Sequence, residues 1–167
     1  DIDECSINSH SCDVNAVCSN TVGLYVCACK AGYSGDGNTC TGEHKCQNYT
    51  TLDNANRKIT YHGHKLHCDN TIGPGWFRFE GAAGKMMPTS CPPKFRCGTT
   101  STGWLNGEHP TVEDGQVTRM VCFHWMSKCC KYLTYIKVRN CGSYYVYYLS
   151  GTPLPRCYLR YCGTDHD

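Results

Sequence analysis

The sequence predicts a small disulfide-rich fold that is β-rich, has little helix and is divided into two domains. Three observations predict it. The chain has 16 cysteines in 167 residues, their spacing changes near residue 40, and turn-forming residues separate short runs of β-branched and aromatic residues. A cysteine content this high is typical of proteins that fold in an oxidising compartment. We therefore expect a chain that is secreted or lies on the extracellular face of the cell surface.

A cytosolic zinc protein is the alternative explanation for many cysteines. Zinc sites usually pair their ligands in CxxC or HxxxH clusters, but no CxxC occurs here, and the even cysteine count leaves no obligatory free thiol. The sequence also has no signal peptide and no long apolar run, so we expect no direct membrane insertion. Because the chain opens on Asp1 without a Met, we expect a processed chain or a fragment.

The charge distribution supports a domain boundary near residue 40. Residues 1–40 carry five acids and one base, whereas residues 41–167 carry nine acids and fifteen bases. The positive charge of the second part could attract sulfated glycans or other polyanions. Its bases are scattered, however, which favours a dispersed solvated surface, and we expect no nucleic-acid partner.

The first domain is predicted to be a two-stranded β module that depends on its disulfides. Six cysteines fall within the first forty residues, a length that cannot bury enough apolar surface to fold unaided. We expect the CxC segment Cys27–Cys29 to send its two thiols to opposite faces of a strand, and therefore to different partners. Asn20-Thr21, Gly32, Gly35 and Asp36-Gly37-Asn38 supply turn residues.

Residues 1–41 resemble an EGF-like domain of the calcium-binding kind. The segments that carry the resemblance are Asp1-Ile2-Asp3-Glu4-Cys5 and Cys18–Cys29, the latter including Asn20-Thr21 and Gly23-Leu24-Tyr25. The resemblance implies the disulfides Cys5–Cys18, Cys12–Cys27 and Cys29–Cys40.

The same resemblance implies a Ca²⁺ site. Its ligands would be the side chains of Asp1, Glu4 and Asn20 and the backbone carbonyls of Ile2, Thr21 and Leu24. Ca²⁺ prefers six to eight oxygen ligands, which clustered carboxylates and an amide supply, and extracellular modules bind it with a Kd of the order of 10⁻⁴–10⁻³ M. Leu24 replaces the usual serine, but that position offers only its carbonyl. The alternative is a plain EGF fold whose acids are merely solvated.

The second domain contains two adjacent cysteines, Cys129 and Cys130. Neighbouring α-carbons are about 3.8 Å apart, whereas disulfides prefer roughly 4.4–6.8 Å, so the two should form separate bridges. Alternation predicts strands at 76–79 and at 144–149. The segment from Val121 to Tyr132 fits a short helix or a strand.

Residues 46–163 resemble the ten-cysteine domain of the uromodulin family. The cysteine spacing matches, and the remaining motifs are Gly75–Phe79, Trp104–Pro110, Cys122–Trp125 and Tyr144–Tyr147. By resemblance the bridges are Cys46–Cys141, Cys68–Cys157, Cys91–Cys129, Cys97–Cys162 and Cys122–Cys130. A zona pellucida module downstream, outside this chain, would allow self-assembly.

The sequence gives only weak indications of catalytic residues. Glu113-Asp114 precedes Gly115 in a polar segment and is best explained as a solvated turn. The histidines His62, His64 and His67 could hold Zn²⁺ or Cu²⁺ and support a metal-dependent hydrolase. On a strand, however, His67 would face away from the other two. We interpret His124 as a hydrogen-bonding histidine that is at least partly buried.

We expect a non-catalytic recognition or spacer segment of a glycoprotein with a matrix or adhesion role, shaped by disulfides rather than by a large apolar interior. Its partners would be other extracellular proteins or glycan-binding proteins. Asn48-Tyr49-Thr50 is a glycosylation sequon. The alternative is a decoy for microbial adhesins, since the resemblance implies such a role for high-mannose glycans in mammalian relatives. Their glycan position corresponds to Asn106, where Gly107 and Glu108 break the sequon.

Overall fold

The computed structural model describes residues 1–42 and 44–166, without the side chain of His44. Glu43, in the predicted linker, and Asp167 lie outside the described residues. The chain forms two compact units, Asp1–Gln47 and Asn48–Asp167. The sequence placed the domains at 1–41 and 46–163. The division between the units lies a few residues after the first of these ends, because a short helix that contains Cys46 belongs to the first unit.

The first unit consists of two small antiparallel hairpins and one helical turn. Its elements are β1 (Ala16–Thr21), β2 (Leu24–Cys29), β3 (Tyr33–Gly35), β4 (Cys40–Gly42) and α1 (His44–Gln47). Strand β1 pairs with β2, and β3 pairs with β4. The turn between β1 and β2 includes Gly23, whose φ of 81° favours glycine.

Disulfides hold the first unit together. They join Cys5 to Cys18, Cys12 to Cys27 and Cys29 to Cys40, the pairs that the resemblance implies. The expectation that Cys27 and Cys29 point to opposite faces was wrong. Side chains two residues apart in a strand share a face, and both cysteines are half-buried on the same side of β2. They still have different partners because Cys12 and Cys40 approach that face separately.

The second unit is built on a seven-stranded mixed sheet. Its strands are β5 (Thr50–Leu52), β6 (Gly75–Phe79), β7 (Ser101–Asn106), β8 (Gln116–Trp125), β9 (Lys128–Asn140), β10 (Tyr145–Leu149) and β11 (Leu159–Tyr161). Their order in the sheet is β11-β7-β8-β9-β10-β6-β5. The β11–β7 and β6–β5 pairs at the two edges are parallel, and the inner pairs are antiparallel. Two short 3-10 turns, Ala55–Arg57 and Gly81–Ala83, complete the secondary structure of the unit.

The long β8–β9 hairpin settles the open question about the segment from Val121 to Tyr132. It is a strand, a turn and a second strand, with Phe123 opposite Tyr132 and Trp125 opposite Lys128. Met126 occupies the turn with a φ of 53°. The predicted strands at 76–79 and 144–149 are confirmed as β6 and β10.

One face of this sheet carries an apolar core. The core cluster comprises Leu52, Phe77, Phe79, Ala83, Met87, Leu105, Val121, Phe123, Ile136, Val138, Tyr147, Leu149, Leu159 and Tyr161. Ring centroids of Phe123 and Tyr161 lie 5.5 Å apart, and a Cβ on Gly103 would sit 2.7 Å from the Phe123 ring. Glycine is therefore required at position 103. We expected disulfides rather than a large apolar interior to shape the chain. That expectation was wrong for this unit, because it has an apolar core.

Buried charges join the edge of the sheet to the preceding loops. Arg57 donates from both terminal nitrogens to the two Asp69 carboxylate oxygens, each at 2.7 Å. The backbone amide of Tyr161 donates to the same carboxylate at 2.9 Å. Arg160 donates to the backbone carbonyls of Asn56 and Cys97, and burial lowers its pKa to about 10.

The adjacent cysteines go to different partners, as their α-carbon spacing requires. Cys129 bonds to Cys91, and Cys130 bonds back to Cys122 across the hairpin. The other two bridges of the second unit are Cys68–Cys157 and Cys97–Cys162. Cys46 and Cys141 are also disulfide-bonded. The pairing of these two with each other stays a prediction.

Candidate functional site

Four of the six residues of the predicted Ca²⁺ site lie at the β1–β2 turn: Asp1, Asn20, Thr21 and Leu24. The register places Asn20 opposite Tyr25 and Thr21 opposite Leu24, so all three predicted ligands of the hairpin lie at its closed end. The carboxylate of Asp1 folds over this turn and accepts a hydrogen bond of 3.0 Å from the Gly23 amide. Its other oxygen lies 3.5 Å from the Asn20 amide nitrogen. Asp1 and Asn20 are therefore brought together.

Glu4 provides the strongest indication that a cation fits this region. Its Oε2 atom is buried and has no hydrogen-bond partner among the described residues. Burying an unpaired carboxylate oxygen is costly, and a hard cation would satisfy it. The Cys5–Cys18 disulfide ties the turn that carries Glu4 to β1, two residues before Asn20. The carboxylate of neighbouring Asp3 already has a partner, because it accepts a hydrogen bond of 3.0 Å from the Ser6 amide.

The predicted carbonyl ligands include those of Leu24 and Ile2, whose surroundings differ. The Leu24 carbonyl accepts a 2.6 Å hydrogen bond from the Thr21 hydroxyl, so this predicted ligand already has a partner within the hairpin. Ile2 would contribute only its backbone carbonyl, and its side chain is 67% exposed. Gly23 was not among the predicted site residues, but its amide holds Asp1 in place. The sequence does contain a signal for this role, because a glycine in a hairpin turn indicates a backbone conformation that other residues rarely adopt.

The sequon at Asn48 lies on an accessible part of the second unit. Both Asn48 and Thr50 are exposed. Tyr49 between them is held firmly, since its hydroxyl accepts a 2.8 Å bond from Arg78 and its ring lies 5.7 Å from that of Tyr144. A glycan on Asn48 would therefore project from an ordered segment. Asn106 is exposed as well, but it is not part of a sequon.

The histidine motif does not form a common metal site among the described residues. His62 and His64 are exposed on a segment without regular secondary structure. His67 is partly buried, and its Nε2 atom lies 3.1 Å from the Asn56 side-chain amide. Burial, followed by the positive charge of Arg160, lowers the pKa of His67.

Two other groups of possible metal ligands are already committed to disulfides. Within residues 1–42 and 44–166, the groups of three are His10–Cys12–Cys18 and Cys91–His124–Cys129. Every cysteine in them is disulfide-bonded, and zinc binds the thiolate form. His124 is a partly buried hydrogen-bonding residue, as predicted, because its Nδ1 atom lies 2.7 Å from the Pro92 carbonyl oxygen.

The carboxylate pair at Glu113-Asp114 lies in a turn. The Asp114 carboxylate accepts a 2.8 Å hydrogen bond from the Thr111 amide. This bond and a second one from the Thr111 side chain lower the pKa of Asp114. Glu113 is exposed. The arrangement is that of a solvated turn and does not resemble a paired acid and base.

Comparison with known proteins identifies the second unit. A family model for a uromodulin-like domain matches residues 77–163, more than half of the chain. The chain belongs to this uromodulin-like family. Eight of its cysteines fall inside the matched range, and Cys46 and Cys68 precede it. An EGF domain model matches residues 5–40.

Three relatives illustrate the similarity. The chain is 45% identical over 118 residues to pancreatic secretory granule membrane major glycoprotein GP2 of the dog, covering 70% of the chain and 23% of that protein. It is 42% identical over 123 residues to human GP2, covering 73% of the chain and 22% of the relative. An alignment of 229 positions with rat uromodulin shows 38% identity and covers 97% of the chain and 35% of the relative.

The uromodulin-like chain therefore spans about a third or less of the length of these relatives. Together with the complete set of disulfide-bonded cysteines, the family assignment shows that the chain is extracellular, either secreted or on the outer face of the cell surface. Among the described residues, no helix is long and apolar enough to cross a membrane.

Proposed function

We propose that this chain is a non-catalytic recognition or spacer segment of a secreted or cell-surface glycoprotein with a matrix or adhesion role. The observation that carries the proposal is that all sixteen cysteines are disulfide-bonded. None of them can act as a nucleophile or a metal ligand, because each is consumed in a bridge. Such a disulfide-linked segment suits binding to other extracellular proteins or to glycan-binding proteins.

The proposal includes Ca²⁺ at the amino-terminal edge of the EGF domain. The side chains of Asp1, Glu4 and Asn20 would hold the ion with nearby carbonyls. The buried and unpartnered Glu4 oxygen supports this assignment, as does the position of Asp1 over the β1–β2 turn. A bound ion would neutralise these carboxylates and fasten the first residues to the hairpin.

A calcium titration of the full chain tests this part of the proposal. A short amino-terminal extension should be added so that the α-amino charge does not stand beside the ion. We expect saturable chemical-shift changes around residues 1–4 and 20–24, with a Kd of the order of 10⁻⁴–10⁻³ M. Asn20→Ala should abolish them, whereas Asn15→Ala, a control in the same unit, should leave them unchanged. Shifts that do not saturate, or that survive Asn20→Ala, would contradict the assignment.

A glycan-bearing decoy for microbial adhesins is the second candidate function. The exposure of Asn48 and Thr50 favours it, because the transferase needs an accessible sequon. Material from a secretory expression host should carry oligomannose at Asn48 and should capture a mannose-specific adhesin. Asn48→Gln should remove both the glycan mass and the capture. A complex-type glycan, or no glycan at Asn48, would argue against the decoy role.

A further inference from the structure

A groove of about 420 Å³ lies beside the β8–β9 turn in the second unit. It is lined by Trp125, Tyr132, Leu154, Arg156 and Tyr158. Three of the five side chains are aromatic and one is cationic. A largely apolar cleft of this size with one well-placed charged group is typical of sites for small ligands.

Two separate segments of the second unit form the groove. Trp125 and Tyr132 come from the β8–β9 hairpin, whereas the other three residues come from the connection between β10 and β11. The Cys68–Cys157 disulfide anchors that connection. The Asn70 side chain donates to the Pro155 carbonyl at 3.2 Å, and the Ser101 amide donates to the Tyr158 carbonyl at 2.8 Å.

Its walls present aromatic surface to the solvent. The rings of Trp125 and Tyr158 are 6.5 Å apart at their centroids and are inclined by 34°. Tyr158 is 43% exposed. Tyr132 and Leu154 pack against the apolar core and form the floor. The groove therefore suits a ligand with a flat apolar face.

The charge around the groove favours an anion. Arg156 is exposed, and its guanidinium group has no hydrogen-bond or ion-pair partner in the described part of the chain. Lys128 is the cross-strand partner of Trp125, so its exposed side chain shares that face of the sheet. From residue 115 to residue 164 the sequence has seven bases and no Asp or Glu. No carboxylate from β8, β9, β10 or β11 competes for these cations.

We propose that this groove binds an acidic sugar residue of an extracellular glycan, a pyranose ring that carries a carboxylate. The C–H face of the ring would pack on Trp125 and Tyr158, and the carboxylate would pair with Arg156. The planar guanidinium group matches the two oxygens of a carboxylate. A diffuse polyanion site would not require aromatic walls. The inference rests on the recognition role proposed above and names its ligand class.

Calorimetric titration of the full chain with three sugars tests the inference. The probes are 3′-sialyllactose, a disaccharide that ends in glucuronic acid, and lactose as the neutral control. We expect saturable binding of at least one acidic probe and none of lactose. The stronger acidic probe identifies the source of the carboxylate, since one ends in a sialic acid and the other in a uronic acid.

Two variants and one control make the test specific. Arg156→Gln should weaken binding about tenfold or more, because it removes a charged hydrogen-bond donor. Since Arg156 is exposed and unpartnered, this variant should fold normally. Trp125→Leu should weaken binding similarly by removing the stacking surface. Lys65→Gln removes an exposed base of the same unit outside the groove and should change affinity by less than roughly twofold.

Several outcomes would overturn the inference. They are equal binding of lactose, an equal loss with Lys65→Gln, the absence of binding to both acidic probes, and binding of an acidic probe that Trp125→Leu does not weaken. Calcium binding is measured in the first unit and sugar binding in the second. A chain that binds calcium but neither acidic probe would therefore contradict the groove assignment alone.

Discussion

The buried pair of Arg57 and Asp69 makes Asp69→Asn an informative substitution. It removes the negative charge and keeps the shape of the side chain. Asp69 accepts two 2.7 Å bonds from Arg57, and the side chains are only 8% and 3% exposed. The substitution leaves a buried guanidinium group without its counterion.

The size of the effect follows from this burial. Removing one partner of a buried ion pair costs about 3–5 kcal/mol, because the remaining charge stays unpaired in the interior. Arg160, only 4% exposed, adds a second positive charge nearby. Asparagine can still accept one bond, but it cannot neutralise either cation. We therefore expect the free energy of unfolding of the second unit to fall by about 3–5 kcal/mol.

Tryptophan fluorescence during denaturant unfolding, with the disulfides intact, measures this loss in the relevant unit. All three tryptophans, Trp76, Trp104 and Trp125, lie in the second unit. Glu113→Gln, which removes an exposed carboxylate of the same unit, should change stability by less than about 0.5 kcal/mol. A loss below about 1 kcal/mol for Asp69→Asn would contradict a buried, strongly coupled pair, since an exposed pair could account for it.

Three further predictions concern the core, a disulfide and acid stability. Phe123→Ala should destabilise the second unit by about 3–5 kcal/mol in the same fluorescence assay, because its buried ring packs on the core; a loss below about 1 kcal/mol would contradict this. Replacing Cys68 and Cys157 together by Ser opens a loop with a sequence separation of 89 and should cost about 4–5 kcal/mol, whereas an unchanged denaturation midpoint would argue against it. Backbone hydrogen bonds, first that of Asn15, hold the pKa of Asp13 below its ordinary 3.8. Stability from a lowered carboxyl pKa is present above the unfolded value and is lost as pH falls through the folded value. The NMR spectrum should therefore show the first unit weakening below about pH 4, and Asp13→Asn should flatten that dependence.

The β8–β9 hairpin shows where sequence reasoning reached its limit. The alternation of apolar and polar residues could not by itself distinguish helix from strand between Val121 and Tyr132, because the turn lacks the usual turn-forming residue. Met126 adopts a φ of 53° where Gly or Asn normally stands. The α-carbon spacing did predict that Cys129 and Cys130 take different partners, but only the family resemblance named those partners.

The apolar core and the edge strands were less predictable. Strands β5 and β11 have only three residues each, too few for a periodic pattern, and both join the sheet in parallel. The strands that they pair with are distant in the sequence, so no local sequence pattern indicates the core that they complete. The Ca²⁺ ligands implied by the EGF resemblance stay a prediction, whereas the groove proposed to bind a sugar joins residues of two separate segments.

Disulfide mapping of the full chain, secreted from an oxidising compartment, tests whether all sixteen cysteines form bridges. The proposal of a non-catalytic extracellular segment depends on these bridges, since a bridged cysteine is neither a nucleophile nor a metal ligand. Stepwise reduction and alkylation before digestion are needed to resolve the adjacent cysteines. We expect no free thiol among the sixteen cysteines, with Cys129 joined to Cys91 and Cys130 to Cys122. Several free thiols, or a bond between Cys129 and Cys130, would contradict it.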